Sequence, residues 1–299
     1  MFVSIAVLCG VLVTASIQAP QFKSRVTAVR VDALVTDGRR PITGLTAANF
    51  ELRDNGSVQK ITDLHHETLP LNIIAALDVS GSIAGEPLEQ LKRAYRAVID
   101  ALAADDRAAL LTFAQNVDLH SSFTSDRDKL RTLADGVDTG GSTSLHDAVF
   151  SALTLRETDE RRTLLLLMTD GRDTSSWLTA QKLVAAARRT DIVIYPVTIR
   201  SVSSFFEVPR PRVHGRGQRQ EPSERLLDTL ADDTGGRVVY ASDESALEST
   251  FLSVLQEFRQ RYVLSYTPEG VSTTGWHTIE VKLKGRSGDV RARRGYFAQ

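Results

Sequence analysis

Two textures of apolar and polar positions alternate along the chain and divide it into three stretches. After an apolar start, residues 25–37 (RVTAVRVDALVTD) mix both kinds, with Val26, Val29, Val31 and Leu34 apolar, as in a strand with one wet face. Residues 38–45 are turn-like and 49–54 extended, and Asp54-Asn55-Gly56 predicts a hairpin turn before a strand over 58–66. From residue 71 the texture changes. LNIIAALDVS (71–80), with its strand over 71–77, and TLLLLMT (163–169) are short apolar runs without polar alternation, as in strands buried on both faces.

Between those runs the apolar spacing turns helical: Leu88, Leu91, Tyr95, Val98 and Leu102 predict an amphipathic helix over 87–102. Further strands are predicted over 108–113, 117–123, 192–199 and 237–240, and helices over 127–134, 145–155, 179–189, 223–231 and 244–259. The alternation implies an α/β fold, a Rossmann-like doubly wound, mostly parallel sheet over 70–258. From residue 262 short alternating strands return, over 262–266, 276–283 and 290–297. Residues 20–69 and 259–299 are each too small to bury much surface alone, so they are expected to pair into a smaller β-sandwich.

Composition narrows the picture. With 42% hydrophobic and 24% charged residues the chain is globular, and a formal charge of −1 argues against general nucleic-acid binding. The single cysteine, Cys9, lies in the apolar start. Residues 1–19 read as a signal peptide with small residues at Ala15, Ser16 and Ala19 as cleavage candidates. No Lys or Arg precedes that run, so an uncleaved anchor or a start site assigned too far downstream is the alternative. The expected location is exported: periplasmic, cell-surface or secreted in a bacterium. A mature chain without thiols excludes disulfide scaffolds, cysteine nucleophiles and Cys-ligated metals. Charge is unevenly spread, with six Arg against three Glu over 200–225, a candidate second surface for acidic partners within the Pro- and Gly-rich stretch 201–224.

Candidate chemistry gathers where the buried strands end, since ligands of open α/β sheets bind at the carboxyl edge. The first run leads into Asp78-Val79-Ser80-Gly81-Ser82, the second into Thr169-Asp170-Gly171, and between them lies Gly140-Gly141-Ser142-Thr143-Ser144. Side chains at every second position of a loop leaving a strand can face one way, so Asp78, Ser80 and Ser82 can converge. These are hard oxygens with no His or Cys, suited to Mg2+, Mn2+ or Ca2+ rather than zinc or copper. Taken singly, Asp78, Ser80 and Ser82 could instead cap the following helix.

Asp78-x-Ser80-x-Ser82, then Thr143, then Asp170 resembles the metal-ion-dependent adhesion site of von Willebrand factor type A domains, over roughly residues 70–258. The whole chain further resembles a bacterial exported subfamily of that family, through VDALVTD (31–37), NFELRDNG (49–56), YVLSYTP (262–268) and RRGYF (293–297). The resemblance implies that Ser80, Ser82 and Thr143 coordinate Mg2+ through their hydroxyls, with Asp78 and Asp170 acting mainly through bound waters. It further implies a metal-dependent protein-binding or adhesion module, without catalysis, whose partner completes the coordination with an Asp or Glu. The rival readings are an Mg2+-dependent hydrolase of phosphate esters and a structural subunit of an envelope assembly.

Other polar residues have quieter expectations. His146-Asp147 is expected to open a helix, Asp105-Asp106 and Asp232-Asp233 to lie in solvated turns, and His65-His66 to hold no zinc. Trp276 is expected in the core, and Trp177 either contacts a partner or is a buried anchor.

Overall fold

The apolar runs become the middle of a six-stranded sheet in the computed structural model, which describes residues 28–38, 40–155, 157, 160–199 and 222–298. The expected leader lies outside these residues, as does most of the basic stretch; its last three positions begin a helix. In the central domain β6 (Leu71–Asp78), β7 (Arg107–Phe113), β8 (Val117–Thr124), β9 (Arg162–Met168), β10 (Val193–Ile199) and β11 (Val239–Ala241) stand in the order β11-β10-β9-β6-β7-β8. All neighbours are parallel except the β7–β8 hairpin. The chain leaves β6 toward β7 on one side and returns as β9 on the other. Their carboxyl ends therefore flank a topological switch point, where a cleft opens.

Helices cover both faces. One core packs α1 (Glu86–Asp100), α2 (Arg127–Asp135) and α6 (Leu247–Arg259) on the sheet, with the predicted stripe Leu88, Leu91, Tyr95, Val98 and Leu102 buried in it. The other packs α3 (Leu145–Thr154), α4 (Ala180–Ala187) and α5 (Pro222–Thr234) on the opposite face. All eight residues of β6 are buried, which is why its sequence lacks polar alternation.

The flanking segments interleave. One sheet runs β14-β1-β12-β5, with β1 (Val29–Asp37) and β5 (Ile61–His66) from the N-terminal part and β12 (Tyr262–Tyr266) and β14 (Asp289–Ala292) from the C-terminal part; β2 (Arg40–Pro41) pairs with β1. The other runs β15-β13-β3-β4, with β3 (Phe50–Asp54), β4 (Ser57–Gln59), β13 (Gly275–Leu283) and β15 (Gly295–Ala298). Val31, Leu52, Tyr262, Leu264, Tyr266 and Ile279 share one buried core between them. The strand expected over 290–297 is thus two, split between sheets at Arg293-Arg294. Gly295 starts the second because a Cβ there would stand 2.1 Å from the His277 carbonyl oxygen.

Three further expectations are corrected. Trp276 is half-buried on the outer face of β13, while His277 and Ile279 face the core. Its ring meets Phe297 at 5.7 Å and carries the Arg188 guanidinium at 5.4 Å, so it serves the junction with the end of α4. The acidic pairs are not both solvated: Asp106 and Asp233 are buried, and Asp233 lies within α5. Asp106 accepts hydrogen bonds from the backbone N–H of Leu71 (2.8 Å) and Ala103 (2.7 Å) and pairs with Arg259, which anchors the start of the central strand. Asp106→Ala, by orphaning these donors, is expected to destabilise the chain by about 2 kcal/mol in a urea titration.

Candidate metal centre

Three loops meet at the carboxyl edge of β6 and β9. The register that sets Leu77 opposite Met168 brings the following residues, Asp78 and Thr169, side by side. The Thr169 hydroxyl donates to Asp78 Oδ2 at 3.0 Å and accepts from the Gly171 N–H at 3.0 Å. Asp78 Oδ1 accepts from the Ser80 N–H at 3.0 Å. The carboxylate is therefore held from both sides at the edge, and Thr169, fully buried, is a positioning residue that residue-type reasoning did not single out. Its signal was only its place between the strand and Asp170.

Capping does not explain the hydroxyls. Ser80 precedes a short 3-10 turn (Gly81–Ile83) without a side-chain cap, and the residue before α1 is Gly85. Instead Ser80 Oγ and Ser82 Oγ face each other at 3.2 Å, the first buried and the second exposed. The Gly81 N–H donates to the Gly141 carbonyl (3.3 Å) and the Gly140 N–H to the Val79 carbonyl (3.0 Å), which ties this loop to the one carrying Thr143. Gly141 adopts φ +79°, and a Cβ there would press on Gln115 at 3.2 Å, so that close approach needs glycine.

Thr143 is buried and binds the third loop through its backbone: its N–H donates to Thr174 Oγ1 (2.9 Å), and its carbonyl accepts from the N–H groups of Thr174 (2.8 Å) and Ser175 (3.1 Å). Its hydroxyl makes no hydrogen bond among the described residues. Asp170 is exposed, with Oδ1 accepting from the Arg172 N–H at 2.9 Å. Burial pushes the Asp78 carboxyl up from its ordinary value. Hydrogen bonds from Ser80 and Thr169 pull it down, and the nearby Asp170 carboxylate adds to the rise.

His146 and Asp147 do open α3, and both hold the third loop. Asp147 accepts the N–H groups of Trp177 (Oδ2, 2.9 Å) and Leu178 (Oδ1, 2.9 Å), and His146 Nδ1 lies 2.9 Å from the Leu178 carbonyl and 3.4 Å from Asp173. Trp177 itself is 95% exposed, which removes the buried-anchor reading. His65 pairs with Asp63, and His66 stacks on Tyr262 at 4.3 Å.

Among the described residues no group of three or more His, Cys, Asp or Glu could hold a metal. The switch-point edge offers something else: two carboxylates and three hydroxyls, with the buried carboxylate already oriented and the Thr143 hydroxyl without a hydrogen-bond partner among the described residues. That donor set fits a hard divalent cation, and a thiophilic metal finds no soft ligand there.

Comparisons with known proteins agree with this architecture. The von Willebrand factor type A domain family matches residues 72–253. The chain is 24% identical over 269 residues to inter-alpha-trypsin inhibitor heavy chain H4 from Bos taurus, covering 83% of this chain and 27% of that one. It is 25% identical to the Homo sapiens protein of the same name, covering 64% and 20%. The chain thus spans about a quarter or less of the curated relatives named here. Among solved structures, a von Willebrand factor type A protein from Catenulispora acidiphila superposes with a TM-score of 0.53 at 10% identity, covering 89% of this chain and 76% of that one. Proximal thread matrix protein 1 from the mussel byssus, with zinc in its MIDAS motif, superposes with a TM-score of 0.52 at 16% identity, covering 69% and 49%. At these identities the likeness concerns the fold.

Proposed function

This chain belongs to the von Willebrand factor type A domain family, and on that premise we propose that it is a metal-dependent protein-binding or adhesion module acting outside the cytoplasm. Ser80, Ser82 and Thr143 would hold Mg2+ through their hydroxyls, and Asp78 and Asp170 mainly through bound waters. When bound, the cation supplies a Lewis-acidic position that a carboxylate from a partner protein can complete. The observation that carries the reading is the Thr169-locked Asp78 beside the Ser80–Ser82 hydroxyl pair, none of which serves as a helix cap. Mg2+ parts reluctantly with water, so a site with few direct carboxylates retains positive charge and an exchangeable position.

The geometry weighs against the hydrolase reading. His146 and Asp147, the His–Asp pair that follows Thr143, are engaged in holding the loop through Trp177, which leaves neither placed as a general base. Mg2+ is preferred on donor hardness, and the zinc found in the mussel protein's MIDAS motif makes the comparison with Mn2+, Ca2+ and Zn2+ part of the test. Export belongs to the same reading and is supported by the leader-like start, and a bacterial source by the resemblance of the flanking segments to the exported bacterial subfamily.

The test is capture from an envelope extract by the immobilised chain, with and without chelator, against Thr143→Ala. Partners are expected to release on chelation, and Thr143→Ala to weaken cation affinity about 10-fold or more by calorimetry. Partners retained in chelator and by the variant alike would reject the adhesion reading.

A further inference from the structure

The surface beside the candidate metal centre carries a feature that cation binding does not use. Trp177 is 95% exposed, the most exposed large hydrophobic side chain among the described residues. A side chain of this size left in water is a common mark of a contact surface, and Trp is enriched among the residues that dominate binding energy.

Its loop is not loosely attached. Both oxygens of the Asp147 carboxylate accept backbone N–H groups, from Trp177 and from Leu178. The Ser176 hydroxyl donates to Asp173 at 2.5 Å and accepts from the Asp147 N–H at 3.2 Å, and Asp173 also accepts from the His146 N–H at 3.3 Å. Thr174 and Ser175 are tied to Thr143, one of the proposed ligands. The indole thus projects from backbone fixed to the first turn of α3 and to the Thr143 loop, so little backbone conformational entropy remains to be lost when it is covered.

The patch extends in a defined direction. Phe150, 42% exposed, lies three residues beyond Asp147 on α3 and so on the adjacent turn of the same face. Toward the cation site lies Arg172, whose side chain is 80% exposed and reaches the Asp170 carboxylate only at 3.9 Å. The exposed Arg172 guanidinium on one side of the indole and the apolar indole itself define what fits: a peptide segment with an acidic residue and an apolar one close by.

We infer that Trp177 is the apolar anchor of the partner surface, with Phe150 on the next turn of α3 extending it, and selects a segment of another protein in which an apolar side chain accompanies the metal-binding Asp or Glu. This rests on the proposed adhesion function and adds the partner's second determinant. Metal coordination alone accepts any accessible carboxylate, so discrimination among acidic partners has to come from neighbouring contacts.

The test pans a displayed library of random peptides on the immobilised full chain in Mg2+ and elutes with chelator. Eluted sequences are expected to pair Asp or Glu with Trp, Phe, Leu, Ile or Met a few residues away. For a synthesised member, Trp177→Ala is expected to weaken binding about 10-fold or more and Phe150→Ser severalfold, with Mg2+ affinity by calorimetry unchanged. In a Trp276→Phe background, where Trp177 is the one remaining tryptophan, peptide is expected to shift the indole emission to the blue. Binding of the peptide to Trp177→Ala within about twofold, with Asp78→Asn abolishing it, overturns the anchor and leaves the adhesion reading standing. Recovery of no chelator-eluted sequence, or of binding indifferent to chelator, overturns both. Concentration-dependent dimerisation in sedimentation velocity that Trp177→Ala removes would assign the patch to a second copy of the chain and overturn the inference.

Discussion

Arg261→Met is expected to lower the unfolding free energy by about 3–5 kcal/mol, read as a drop in the urea midpoint at constant slope. Arg261 stands between α6 and β12 and is wholly buried. One terminal nitrogen donates to the Tyr195 hydroxyl at 2.8 Å; the other serves the carbonyls of Gly235 (2.7 Å), Asp32 (3.2 Å) and Arg291 (3.3 Å). Those carbonyls belong to the central domain, the N-terminal strands and the C-terminal strands, so one guanidinium joins all three parts of the chain. Gly235 presents its carbonyl from φ +86°, where a Cβ would meet the Arg293 nitrogen at 2.6 Å. Methionine fills similar space, so the loss comes from buried acceptors that lose their donor, offset in part by removing a buried charge that repels Arg162. Lysine keeps a charge but has no planar fork, and Arg261→Lys is expected to recover only part of the stability. A loss under about 1 kcal/mol for Arg261→Met would show that water or rearranged neighbours satisfy those carbonyls.

Asp78→Asn is expected to separate cation binding from folding. Cation affinity should fall about 10- to 100-fold, since the carboxylate that orients the site is neutralised, and the rise in melting temperature on adding Mg2+ should disappear. The metal-free variant, by contrast, is expected to gain stability on the order of 1 kcal/mol at neutral pH. The sign follows from the shift: burial raises this carboxyl, so its protonated form favours the fold at low pH, and that contribution is lost as pH rises through the folded-state value. Ionised Asp78 is therefore unfavourable to the metal-free fold at neutral pH, and the amide removes the charge while keeping an acceptor. The gain should shrink on acidification below the ordinary carboxylate range. Melting curves at several pH values, with and without Mg2+, check both halves. A metal-free variant less stable than the parent at neutral pH would mean that the hydrogen bonds from Ser80 and Thr169 outweigh the burial of the charge.

Which features were legible in the sequence follows from whether their signal is local. β6 and β9 read as buried strands because apolar runs without alternation have few other uses, and the stripe on α1 was visible because helical periodicity repeats within fifteen residues. The oxygen donors were legible because strand ends in a parallel sheet carry ligands, and the spacing of Asp78, Ser80 and Ser82 is itself local. Trp276 was misread for want of partners: alternation puts it on a face of β13 but does not say which face is wet, and the Arg188 guanidinium comes from a helix far away in sequence. Asp106 and Asp233 resembled surface turns because their Arg partners, Arg259 and Arg188, lie 153 and 45 residues away.

The sequence by itself determined the alternation of elements, the identity of the hard-oxygen donors and the absence of thiols beyond Cys9. Only the tertiary structure decided that Thr169 locks Asp78, that His146 and Asp147 hold a loop, and that Trp177 stands in solvent above it. The physical reason is the range of each effect. Periodicity and donor chemistry act over a few residues, whereas hydrogen-bond partners and exposure depend on how parallel strands distant in sequence are set side by side.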